Sequence, residues 1–162
     1  MRTLASLYDR LTPLFVYGQS AFLLFIRVYW GGQLAHNGWG KLHNLEKVTE
    51  YFQSINVPMP GITAHMVAGL ELVGGILLFV GLGSRLISAV LTVNLLAAYW
   101  FGDHDAFLSF ISDPGTFYAA APFTFLFVTV IVLLFGPGIF SLDALIWRGA
   151  KLSSPTQRGV TL

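Results

Sequence analysis

Cysteine is absent from this 162-residue chain. That excludes dithiol chemistry, iron–sulfur clusters and cysteinyl zinc sites. Charge is scarce as well: Asp, Glu, Lys and Arg make up 10% of the residues, against about a quarter in a soluble domain. No basic run accompanies the net charge of +1, so nucleic acid is not an expected partner. A nucleotide-binding glycine loop is also missing. No cleavable signal peptide is evident: the opening MRTLASLYDRLTP is short and polar, and the apolar run after it is too long for a signal h-region. It reads as an uncleaved first span. Histidine (four residues), carboxylates, aromatic rings and bound cofactors remain as the available chemistry.

What is present is hydrophobicity. The chain is 55% hydrophobic with a mean hydropathy of +0.69, and reads as an integral membrane protein. Its length predicts one domain, over residues 1–150, with a disordered tail over 151–162. A spanning helix needs about 20 mostly apolar residues. Four runs qualify, at about 15–36, 62–82, 84–101 and 118–140. Backbone amides cannot go unpaired in lipid, so each is expected to be helical. The predicted fold is all-α, a four-helix membrane bundle.

Lys and Arg set the predicted orientation. One side holds Arg2, Arg10, Arg85, Arg148, Lys151 and Arg158, and the other holds Lys41 and Lys47. The positive-inside rule puts both termini in the cytoplasm. In a bacterium the chain would sit in the inner membrane with its two longer loops in the periplasm. The first of these loops carries LEKVTEYFQSI after Asn44, a residue suited to N-capping. Leu45, Val48, Phe52 and Ile55 share one face, which predicts a short amphipathic helix over the bundle. Pro58 and Pro60 end it.

Two ionisable residues interrupt the apolar runs: Arg27 in the first and Glu71 in the second. Such groups are rare in a bilayer and usually paired or functional. Counting from the outer ends, both lie roughly 13–15 Å deep. Arg27 shares a face with Ser20, Gly31, Leu34 and Gly38, and Glu71 with Ala64, Ala68, Gly74 and Gly75. Small residues allow close helix approach, so a side-chain contact is expected. The pair could fix helix register, line a polar pocket opening outward, or have one member snorkel or face a partner subunit. Nearly all the other intramembrane polarity lies in the same outer half. Asn94 is about 10 Å below the outer end of the third run, with His36, Lys41, His65 and His104 near the ends of the runs. The histidines read first as interfacial hydrogen-bonding groups, and Asn94 also reads as a helix–helix contact and Lys41 as an interfacial anchor. Trp30, Tyr29, Trp39, Tyr99 and Trp100 form an outer aromatic belt, and the same rings could stack on a quinone or haem.

The order Arg27, then Gly38-x-x-Lys41-Leu42, then Glu71-Leu72-x-Gly74-Gly75, then Gly136-Pro137-Gly138-x-x-Ser141-Leu142-Asp143 resembles the DoxX family of small four-helix membrane proteins. The resemblance runs from about Phe22 to Leu145. It implies a quinone-linked role, since relatives include the membrane subunit of thiosulfate:quinone oxidoreductase. The stretch entering the fourth run, GTFYAAAPFTF, lacks the acidic residue that many relatives carry there. In the closing motif Ser141 is placed to N-cap a short helix with Asp143 in its first turn, a structural role.

Three functions follow. The first is an oxidoreductase component that binds a quinone head group in an outward-facing pocket. Arg27 and Glu71 would be its central groups, with Trp30, His36, Lys41, His65, Asn94 and His104 around the ligand. Nothing in the chain supplies electrons, so a separate redox protein or a haem with two histidine ligands would be required. The second is a scaffold or assembly partner of a redox complex. The third is a small-molecule transporter, which would need to dimerise and to have access from both sides.

Overall fold

In the computed structural model, which describes residues 2–153 and the side chains of 12–147, eight helices follow one another. They are α1 (Arg2–His43), α2 (Leu45–Ser54), α3 (Pro60–Val80), α4 (Ser84–Gly102), α5 (His104–Leu108), α6 (Pro114–Ala119), α7 (Phe123–Phe135) and α8 (Leu142–Ser153). No strand occurs among the described residues. Of these, α3 and α4 are long and apolar enough to cross a membrane, and α7 is a shorter apolar helix. Their outward faces are hydrocarbon: Ile62, Met66 and Val73 on α3, and Leu86, Val90 and Val93 on α4, are all exposed.

The main packing unit is α1 against α3, and α4 pairs with α7. Glycine makes the first contact possible. A Cβ on Gly38 would fall 2.3 Å from the amide nitrogen of Leu72, and one on Gly75 would fall 2.4 Å from that of Ala35. Gly31 faces Phe79 in the same way. Gly31, Gly38 and Gly75, expected from the sequence on the small-residue faces, are where α1 and α3 meet, whereas Gly74 turns to Ile87 and Leu91 of α4. A core of Leu23, Ile26, Leu34, Leu78, Leu91, Val128 and Val132 fills the space between these helices.

Two of the predicted runs differ from the structure. The first was expected to end at residue 36, but α1 continues to His43. The glycines of the Trp39-containing GWGK stretch stay helical, one of them because Gly38 is pressed against α3. The fourth run, expected as one helix over 118–140, is broken. α6 ends at Ala119, Ala120 is extended (φ −66°, ψ 141°), and α7 begins only after Pro122. Pro122 has no N–H to donate and disfavours helical geometry in the residue before it. The 13 residues of α7 extend only about 20 Å at 1.5 Å each. Gly136, at φ 79°, stops it at the other end.

The amphipathic segment of the first loop is helical as expected, over Leu45–Ser54. Asn44 precedes it, but its side chain does not cap the helix; Nδ2 instead donates back to the Gly40 carbonyl at 2.9 Å. The tail expected over 151–162 begins inside α8, whose backbone is helical to Ser153. Residues 154–162 lie outside the described residues.

Candidate functional site

Arg27 and Glu71 do not meet. The contacts of Gly31 with Phe79 and of Gly38 with Leu72 fix the register of α1 on α3. In that register Glu71 is level with Trp39, and Arg27 lies about 18 Å away along the axis at 1.5 Å per residue. The depth argument failed because it counted from residue 36, whereas the helix ends at His43. The facing argument held, since both residues are buried between the helices, 0% and 5% exposed respectively.

Arg27 closes the inner end of the fold. α3 ends with carbonyls that lack intrahelical donors, and the negative end of the helix dipole attracts a cation there. The guanidinium of Arg27 fills this place: Nη1 donates to the carbonyls of Leu78 and Phe79, both at 3.4 Å, and Nη2 to that of Phe140 at 2.7 Å. Gly81 accommodates it, because a Cβ there would collide with Nη1 and the residue sits at φ 76°. Asp143 is the counterpart on α4. Its Oδ1 accepts from the Gly83 amide at 2.8 Å and Oδ2 from the Ser84 amide at 2.9 Å, at the positive end of that helix. The Asp143 amide returns a bond to the Gly81 carbonyl at 2.9 Å. Partial burial pushes the Asp143 carboxyl upward, but the Ser84 and Gly83 bonds and the Arg27 charge outweigh it and hold the group below its usual range. Ser141 caps α8 as expected, its Oγ accepting from the Ala144 amide at 3.1 Å. The closing motif is therefore structural, and Arg27 belongs with it.

Glu71 belongs to the other end, where a cavity of about 500 Å³ lies between α1, α3, α4 and α7 under α2. Its partner is Lys41, whose Nζ donates to Oε1 at 2.6 Å, with the two side chains 34% and 7% exposed. The carboxylate's second oxygen, Oε2, is buried with no hydrogen-bond partner. Lys41, Glu71 and Asn94 all line the cavity. The half-buried side chain of Asn94 has no hydrogen-bond partner among the described residues. Val67, Leu95, Ala98 and Phe125 form apolar walls. The apolar face of α2 (Val48, Phe52, Ile55) turns into the cavity, with Lys47 and Tyr51 beside it. Tyr51 also reaches across to Gly102 at the end of α4.

The remaining predicted groups lie elsewhere. His36, His65 and His104 are exposed and do not line the cavity. The Nδ1 atoms of His65 and His104 lie 2.8 and 3.1 Å from the carbonyls of Gly61 and Trp100. No group of three His, Cys, Asp or Glu side chains that could hold a metal occurs among the described residues. Trp30 packs against the apolar core, and Trp39 and Trp100 are exposed. The rings that do line the cavity are Tyr51, Phe52, Phe101 and Phe125. Lys47, Tyr51 and Thr63 were not expected there. The only sequence signal for the first two was their place on α2, one turn apart beside its apolar face.

The family model for DoxX matches residues 22–104, about half of the chain. The chain belongs to the DoxX family. The matched region contains Arg27, Lys41, Glu71 and Asn94 and stops before α7, so the closing GPGxxSLD motif lies outside it. The chain is also 26% identical over 130 residues to "Putative oxidoreductase CatD" of Bacillus subtilis (strain 168), an alignment covering 79% of this chain and 89% of that protein. No solved structure matches. Membership of the DoxX family implies contact with a lipid bilayer, and α3 and α4 are long and apolar enough to span one.

Proposed function

We propose that this protein is a membrane component of a quinone-linked oxidoreductase system, and that the cavity beneath α2 receives the quinone head group. One observation carries the reading. A buried carboxylate, ion-paired through one oxygen and unpartnered at the other, lies in the wall of an otherwise mostly apolar cavity. Ligand pockets of about 300–1,000 Å³ combine apolar walls with a few placed polar groups. Lys41 and Asn94 can donate to ligand oxygens, and Glu71 can accept from them. Reduction of a quinone to a hydroquinone takes up two electrons and two protons. A separate redox protein would supply the electrons, and the relative's name as an oxidoreductase is in keeping with that setting. Arg27 has no part in binding. The outlying, exposed histidines favour a quinone over a haem as the bound group.

In this reading α1, α3, α4 and α7, the last extended outward by α6, form a four-helix bundle in the bacterial inner membrane. Both termini are cytoplasmic and the cavity opens to the periplasmic side. The exposed apolar girdle of α3 and α4 and the Lys/Arg asymmetry support this placement. The test is extraction of the purified protein with organic solvent. The wild type should yield bound quinone near one per chain. Leu95→Trp, which fills the cavity from α4, should yield little while remaining folded. A wild type that never retains or binds quinone would remove the proposal.

A further inference from the structure

We propose, resting on the quinone reading above, that the cavity distinguishes the redox forms of its ligand and holds the hydroquinone in preference to the quinone. Glu71 is the reason. Its Oε1 is ion-paired with Lys41 at 2.6 Å, and a carboxylate held in an ion pair offers only acceptors. Oε1 has its donor in Lys41, whereas Oε2 is buried without one. None of the donor side chains that line the cavity bonds Oε2. A buried charged acceptor left unpaired is costly, so the site is completed by a ligand that brings an O–H.

A hydroquinone brings two. One can donate to Oε2 while Lys41 stays on Oε1, and the second can face Asn94, whose amide is uncommitted. A quinone brings two carbonyls and no donor. Placed in the same position, it sets lone pair against lone pair at Oε2. Lys41 can keep its bond to Oε1 and still donate a second N–H to a quinone carbonyl, but that leaves Oε2 without a donor. Donors elsewhere in the lining, among them Asn94, Lys47 and Tyr51, can hold a quinone carbonyl, but none of those bonds supplies the donor that Oε2 lacks.

Hydrogen bonds to a charged group contribute enough to shift affinity by about tenfold to a hundredfold. For a two-electron couple each tenfold preference raises the midpoint of the bound pair by about 30 mV. The experiment uses the full-length protein in lipid nanodiscs under anaerobic conditions. A short-chain ubiquinol and its oxidised ubiquinone are titrated separately and followed by calorimetry. The wild type should bind the ubiquinol at least about tenfold more tightly. In Glu71→Gln the amide can donate to a carbonyl, so the ratio should fall at least about tenfold, to parity or beyond. Equal affinities in the wild type, or tighter ubiquinone, overturn the selectivity and leave the quinone reading standing. A wild-type preference that survives unchanged in a folded Glu71→Gln overturns the role of this carboxylate. Binding of neither form to the folded wild type overturns both readings. The wild-type ratio decides the matter even if the variant does not fold.

Discussion

Replacing Arg27 by methionine tests the division of the protein into a structural inner end and a polar outer cavity. The substitution keeps most of the side chain's length and removes its donors. Phe140 loses a bond of 2.7 Å from a cation, and such a bond contributes about 1.5–3 kcal/mol. Leu78 and Phe79 lose contacts of 3.4 Å, each about half a kcal/mol at that length. Part of this is offset, because the guanidinium is fully buried and its Nε has no partner. The net loss should be about 2–4 kcal/mol. Lysine at the same place keeps the charge without the fork and should lose about half as much. The informative measurement is a double-mutant cycle with Glu71→Gln, read by denaturing the detergent-solubilised protein with a harsher detergent and following helicity. Sites this far apart with no shared partner add to within about 0.5 kcal/mol. If the double variant were more stable than the sum of the singles by more than about 1 kcal/mol, Arg27 and Glu71 would be coupled, and the separation argued here would be wrong.

Three further outcomes are expected. Gly38→Ala and Gly75→Ala should each lower stability by about 1–3 kcal/mol in the same denaturation assay, because their Cβ atoms meet the backbone of the opposite helix. Gly69→Ala, with nothing within 4 Å of its Cβ, should be neutral or stabilising by up to about 1 kcal/mol. Asp143→Ala should cost about 0.5–2 kcal/mol through the lost α4 cap. Because the Asp143 carboxyl is held below its ordinary value when folded, its contribution is full above about pH 4 and fades as pH falls through the folded value. The acid slope of stability should therefore be shallower in Asp143→Asn than in the wild type. Reporter fusions after Lys47 and after Lys151 should report opposite sides of the membrane; the same side for both would contradict the proposed topology.

How much the sequence revealed depended on the range of the interaction. The faces of α1 and α3 were legible because glycine and alanine at helical spacing leave few other surfaces that can approach closely. The same holds for α2, whose apolar positions recur every three or four residues. Ser141 was legible as a cap because capping acts within one turn. Lys41 as the partner of Glu71 was not, although both residues were singled out. Their meeting depends on where α1 ends, and the first run was read to about residue 36, whereas α1 packs against α3 and continues to His43. Arg27 was misassigned for a related reason. Its partners are backbone carbonyls of α3 and of the segment after α7, and a carbonyl leaves no mark in a sequence. The break before α7 was available in Pro122, but an unbroken apolar run outweighed it.

The turn between α3 and α4 is completed by residues made much later. Arg27 waits for the carbonyl of Phe140, and the amides of Gly83 and Ser84 wait for Asp143. Without the residues from 140 onward, the Arg27 guanidinium lacks its bond to Phe140 and the start of α4 lacks its Asp143 cap. The C-terminal segment works as a latch on helices already in place. A chain released before Phe140 would carry its apolar helices in full and still be an unfinished protein.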